Sequence, residues 1–276
     1  MTDSSTPRPR GGKPAHGEPV IDRALRLFSA FEAHDGALSL EQLSVEAGLP
    51  KATALRLARR LTEWGALERT PDGEYVIGLR LLEIAMLSPR GQGLRTIALP
   101  YLEDLHHATG QHVQLAVRDG HESVLVERLS AHDASEVHYR MGGHYRVGGR
   151  APLHVTGVGR VLLAFGPHEL RQEVLAGELR LPGDEGTLTP DQLRTILAQV
   201  RQEGVAMVSM PRPTPMTSIA APILGPGQEA LAGLSVLAPT GSFQPAGLIP
   251  AVVTVARAIS RVAWRAASPA NGGGAP

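Results

Sequence analysis

The stretch 48–65, GLPKATALRLARRLTEWG, carries Lys51, Arg56, Arg59 and Arg60 within one short segment. Fixed cations at that density suit contact with phosphate oxygens and with the edges of bases. The chain as a whole has no positive excess to offer, because 27 basic residues face 27 acidic ones and the formal net charge is zero. Where such a protein gathers its cations is therefore more telling than how many it has. At 100° per residue, Ala54, Leu57, Ala58, Leu61 and Trp64 fall on one face of a helix over 51–64, and Ala52, Arg56, Arg59, Arg60 and Glu63 on the other. Lys51 stands at the first turn, where free backbone N–H groups already favour an anion. In a duplex groove Lys51 would meet a phosphate or a base, and Ala52 and Thr53 are small enough for close approach. Arg56 would read a base edge, while Arg59 and Arg60 would hold the backbone. The competing reading is an ordinary solvated helix face, and the flanking elements decide between the two.

Those elements are compact. Residues 20–34 repeat apolar side chains at helical spacing, and Ser39 with Gln42 forms a capping box that opens a short helix over 40–47, with Ser39 also counted among the candidate DNA contacts. Gly48 and Pro50 lead into the helix 51–64. Two short extended runs within 66–77 flank Pro71-Asp72-Gly73 as a hairpin, with Arg69 able to reach sugar-phosphate as part of a wing. The hairpin serves equally well as a strand pair closing a small core. A capped helix, a tight turn, a helix with a basic outer face and a hairpin make a winged helix-turn-helix over 19–78. That segment holds seven basic and nine acidic residues, so its cations act by position and not by sum.

Residues 79–87, LRLLEIAML, are apolar nearly all round and need cover on several sides; 79–92 is read as a linker helix. From 93 to 266 the pattern changes to an α+β domain around a mostly antiparallel sheet. It has helices at 94–109, 156–165, 167–176, 190–203 and 249–265, and strands around the Asp119-Gly120 turn and at 136–141, 205–209, 217–223 and 230–237. Residues 1–18 and 267–276 read as disordered tails. No uninterrupted apolar run reaches bilayer length, and a cytoplasmic location is the expectation.

Other chemistry finds little support. Cysteine is absent, which excludes disulfides, thiolate metal sites and cysteine nucleophiles. His106, His107, His112, His121, His132, His138, His144 and His154 crowd one region without metal-ligand spacing. Gly157-Val158-Gly159 lacks the third glycine of a dinucleotide loop, and no nucleophile meets an oriented base. No catalytic residue, metal or cofactor is expected. A small-molecule-binding module or an enzyme with a vestigial helix-turn-helix is the alternative reading.

The stretches LSLEQLSVEAGLPKATALRLARRLTEWGALER, YVIGLRLLEIA, RAPLHVTGVGRVLLA, QEGVAMV and SIAAPILGPGQEALAGLSVLAP resemble, in order and spacing, the isocitrate-lyase-regulator (IclR) family of bacterial transcription factors. The resemblance implies an N-terminal winged helix-turn-helix, a linker helix and a GAF-like C-terminal domain holding a small effector. It also implies a dimer or tetramer on a near-palindromic operator in double-stranded DNA. Family pocket positions fall here on Leu153, Gly157, Val158, Ser218 and Ser235, with His154 alongside. The run MVSMPRPTPM, where carboxylates are missing, leads us to expect an apolar, adaptable pocket in which Met207, Met210 and Met216 take part.

Overall fold

The computed structural model describes residues 18–32, 34, 36–130, 146–182, 186–210 and 215–267. The strand expected at 136–141 and the histidines 132, 138 and 144 lie outside them. The chain divides into two compact units, 1–87 and 88–276.

In the first unit, α1 (Val20–Ser29), α2 (Leu40–Glu46) and α3 (Lys51–Trp64) surround a core of Leu27, Leu38, Leu43, Ala54, Leu57, Ala58 and Leu67. Helix α1 stops five residues before the expected end. Phe31 and Glu32 donate to Phe28 and Ser29, so the last turn tightens to three-residue bonds. A hairpin of β1 (Leu67–Arg69) and β2 (Tyr75–Ile77) closes the core, since buried Tyr75 also bridges to Leu38 through two backbone bonds of 2.8 and 2.9 Å. Helix α4 (Leu79–Ala85) follows at once. Its start is fixed by Gly78, where an added Cβ would stand 2.1 Å from the carbonyl oxygen of Gly65. Glu68 accepts from the Leu79 N–H at 2.9 Å, and the Arg80 guanidinium lies 4.6 Å from the Trp64 ring centre. The end of α3 and the start of α4 are thus joined at backbone distance.

In the second unit, β3 (His112–Asp119), β4 (Glu122–Leu129), β5 (Arg150–Pro152), β6 (Ala206–Met210), β7 (Met216–Leu224) and β8 (Ala230–Pro239) form an antiparallel sheet in the order β5-β4-β3-β8-β7-β6. Helices α5 (Pro89–Thr109) and α9 (Pro245–Ala267) cover one face, against Val113, Leu115, Ile219, Leu234 and Val236. Helices α6 (Gly157–Ala164), α7 (His168–Ala176) and α8 (Pro190–Glu203) cover the other, against Ala116, Leu125, Ala206 and Ala220. Helix α5 begins earlier than expected: Pro89 occupies its first position, where a missing N–H costs nothing. Helix α9 begins earlier too, at Pro245. By length and composition, Pro245–Arg265 would suffice to cross a membrane. Here Val252, Ala256 and Ile259 of that helix are buried against the sheet, as in a core helix.

Helix α6 sits on the sheet, and on the loop that leads into it, through residues without side chains. A Cβ on Gly159 would lie 2.4 Å from the Leu153 carbonyl oxygen, and one on Gly233 would lie 3.1 Å from Val158 Cβ. Gly159→Ala should therefore destabilise the second unit by about 1–3 kcal/mol, as a shift in its urea midpoint at unchanged slope. An unchanged midpoint would show that the helix is not held this closely.

Candidate functional site

Two regions collect the residues singled out in the sequence, one in each unit.

In the first, burial of Ala54, Leu57 and Ala58 turns the opposite side of α3 outward, so that Lys51, Ala52, Arg56, Arg59 and Arg60 are exposed and Thr53 half-buried. The preceding turn is held by the Ser44 hydroxyl donating to the Leu49 carbonyl at 2.7 Å. Ser39 heads α2 as expected: its hydroxyl accepts from the Gln42 N–H at 3.3 Å, and its own N–H donates to Gln42 Oε1 at 2.9 Å. Ser39 is thus engaged in capping. The cations differ in their engagement. Lys51 Nζ is 3.8 Å from Glu41 and Arg60 is 2.8 Å from Glu63. Arg56 and Arg59 have no acidic partner among the described residues. Arg69 is folded back, donating twice to the Gly73 carbonyl at 2.9 and 3.1 Å, with its guanidinium 5.3 Å from the Tyr75 ring centre. It braces the hairpin turn.

In the second unit, a hollow of about 430 Å³, counted out to its open mouth, lies between α6 and the sheet. Gly157, Val158, Ser218 and Ser235 line it, together with Gln114, Ala116, Ser123, Leu125, Thr156, Val208 and Met210. Three expected positions do not. Leu153 is wholly buried in the core under α6, its carbonyl against Gly159. His154 turns away, its ring Nε2–H donating to the Arg180 carbonyl at 2.8 Å. Met207 is 52% exposed on the edge strand, because it is Val208 that pairs with Ser218 and shares its face.

The wall is mixed: Ala116, Leu125, Val158, Val208 and the expected Met210 stand among polar residues. Gln114, Ser123, Thr156, Ser218 and Ser235 supply its polar groups, and Met216 is packed into a separate cluster with Leu237. Polar groups stand there because the sheet is covered on both faces, so each residue between two core-facing neighbours also points inward. At the head of α6 the Thr156 hydroxyl accepts from the Gly159 N–H at 3.0 Å. The Gly157 and Val158 N–H groups have no acceptor among the described residues. Just outside, half-buried Arg160 ties the loop to the helix by donating through Nε to the His154 carbonyl at 3.0 Å, and partial burial lowers its pKa from the ordinary guanidinium value.

The histidines that are described have local tasks. His106 Nδ1 lies 2.7 Å from the Gln111 carbonyl oxygen, and His121 Nε2 lies 2.8 Å from Glu173. Among the described residues no group of three or more His, Asp or Glu side chains is placed to hold a metal ion.

A basic helix after a capped turn, in a chain whose other unit is a pocket-bearing antiparallel domain, is an arrangement with known relatives. The description "Bacterial transcriptional regulator IclR C-terminal" matches residues 88–261, and "IclR helix-turn-helix domain" matches residues 20–71. The chain belongs to the IclR family of bacterial transcriptional regulators. The probable transcriptional regulator ArcR of Halobacterium salinarum is 30% identical, covering 91% of this chain and 95% of its own. XynR of Escherichia coli is 29% identical over 83% and 89% respectively. A solved IclR homologue from Microbacterium hydrocarbonoxydans, in complex with 4-hydroxybenzoate, is 29% identical with a TM-score of 0.77, covering 90% of this chain and 100% of that one. The named relatives are regulators, not enzymes.

Removing the cap tests how the reading head is built. Ser39→Ala should cost the first unit roughly 1 kcal/mol by losing the acceptor for Gln42. Thermal unfolding should register a lower midpoint for this unit, and an unchanged one would mean that α2 does not depend on its cap.

Proposed function

We propose that this protein is a ligand-responsive, DNA-binding transcriptional regulator whose α3 enters the major groove of each half of a near-palindromic operator. The observation that carries this reading is the exposed pair Arg56 and Arg59, left without acidic partners on the outward face of a packed helix. In this assignment Arg56 reads a base edge, and Ala52 and Thr53 lie close to the bases. Lys51, Arg59 and Arg60 meet phosphates, and Arg69 supports the hairpin beside the groove. Lys51 and Arg60 must exchange Glu41 and Glu63 for phosphate, so their net gain is smaller. A symmetric dimer, or a tetramer built from dimers, doubles the contacts. Support for self-association comes from α4 and the residues just after it, where Leu79, Leu82, Ile84, Met86 and Leu87 are all exposed.

The pocket between α6 and the sheet holds the effector. We take this to be a small organic acid, since the free N–H groups at the head of α6 favour an anion, and a relative of the same fold binds an aromatic acid. To act, the ligand must bind one arrangement of the reading heads better than another; a tenfold preference corresponds to about 1.4 kcal/mol of coupling. The regulator works in the cytoplasm, where its operator is.

Fluorescence anisotropy with the DNA upstream of its own gene tests the assignment. Arg56→Ala should cost roughly 1–3 kcal/mol per half-site and relax base preference. Arg59→Ala should weaken all sequences alike and flatten the salt slope by about 1, and Arg60→Ala should do less. Unchanged affinity in both Arg56→Ala and Arg59→Ala at matched salt would mean that another surface binds DNA. Tight, ligand-indifferent DNA binding would instead remove the effector from the account.

A further inference from the structure

Gln114 of the pocket wall is a nearly fully buried side chain with an unpartnered polar atom. Gln114, in the middle of β3, is only 5% exposed and lines the hollow. Its Oε1 lies 3.4 Å from the Ser235 hydroxyl, and its Nε2 has no hydrogen-bond partner. Whichever way the carboxamide is turned, Ser235 can engage one end only. An amide left unmet in the centre of a sheet is costly, and a ligand group that meets it removes that cost.

Register gives its place relative to the helix. Gly157 presses on β7, where its Cβ would stand 3.0 Å from Ser218 Oγ and 3.3 Å from Ala220 Cβ. Ala220 pairs with Ser235, and Ser235 pairs with Gln114, so the three lie in one row across β7, β8 and β3. Two strand spacings place the Gln114 backbone about 10 Å from that of Ala220. The carboxamide therefore faces the N–H groups of α6 from the other end of the hollow. A bulge reinforces that end. Leu115 pairs with Glu127 while Ala116 pairs with Leu125, which leaves Val126 as the extra residue. Past it, Glu127 turns to α5, 2.6 Å from Arg95, and Arg128 comes opposite Gln114 on the pocket face. Between the two polar ends the wall is Ala116, Leu125 and Val158.

We infer that Gln114 is the specificity-determining residue of this pocket, hydrogen-bonding a second polar group of the ligand about one ring away from the acid that the head of α6 receives. The inference rests on the small-acid reading proposed above and adds the ligand's far end to it. A hydroxyl suits that position, because it satisfies the carboxamide in either orientation. A methyl group of the same size leaves the carboxamide unmet.

Calorimetry on the full chain with 4-hydroxybenzoate and 4-methylbenzoate tests this. The wild-type protein should bind the hydroxyl compound at least tenfold more tightly. Gln114→Met should bring the two within about twofold while still binding 4-methylbenzoate, which also reports that the variant is folded. Equal affinities in the wild-type protein would overturn the role of Gln114 and leave the small-acid reading standing, whether or not the variant folds. A preference that survives in Gln114→Met would do the same. Binding of neither compound to the wild-type protein would overturn the small-acid reading, and the Gln114 inference with it.

Discussion

The inward packing of α3 is the constraint from which the DNA-binding geometry follows. Ala54 and Ala58 are wholly buried and Leu57 nearly so, and the burial of Leu57 alone is worth about 1.5–3 kcal/mol. The two alanines leave no bulk between α3 and the neighbouring helices. The cylinder therefore cannot roll without burying a guanidinium, whose desolvation costs far more than the packing returns. Fixing the inward face fixes the outward one. A chain of zero net charge thereby presents Arg56 and Arg59 together, although acidic residues outnumber basic ones in the same domain.

The same economy of bulk recurs wherever one element must be placed against another. Gly78 brings the start of α4 against the end of α3 at a distance no side chain allows, and the Glu68 carboxylate and the Trp64–Arg80 contact fasten the junction. The apolar surface of α4 is therefore presented in a set orientation to the helix that carries the arginines. In the other unit Gly157 and Gly233 bring α6 close to the sheet and Gly159 brings it against the Leu153 backbone, and this places the free N–H groups at the helix head against the pocket wall. Each domain thus uses close backbone contact to aim a helix, one outward for a polyanion and one inward for a small ligand.

What the sequence disclosed tracks how local the cause is. The capping box at Ser39, both limits of α3 and the hairpin are fixed by neighbouring residues, and all were legible. The starts at Pro89 and Pro245 precede the expected 94 and 249, since a proline at a first helical position leaves no apolar periodicity to mark it. Pocket membership depends on strand parity and on which faces are covered, and neither is local. Met207 and Val208 differ by one position and point to opposite faces. Leu153 and His154 flank the pocket in sequence, yet one packs beneath α6 and the other bonds to the Arg180 carbonyl. Gln114 sits between Val113 and Leu115, whose alternation by itself marks the other face as outward. With helices on both sides of the sheet, its position is inward as well.

The account stands most directly on selection of bound duplexes from a randomised pool, read by sequencing after several rounds with the purified full chain. It predicts enrichment of an inverted repeat whose half-sites lie one helical turn, or a multiple of it, apart. Recovery of the starting pool without any enriched motif, under low-salt conditions that favour binding, would contradict it.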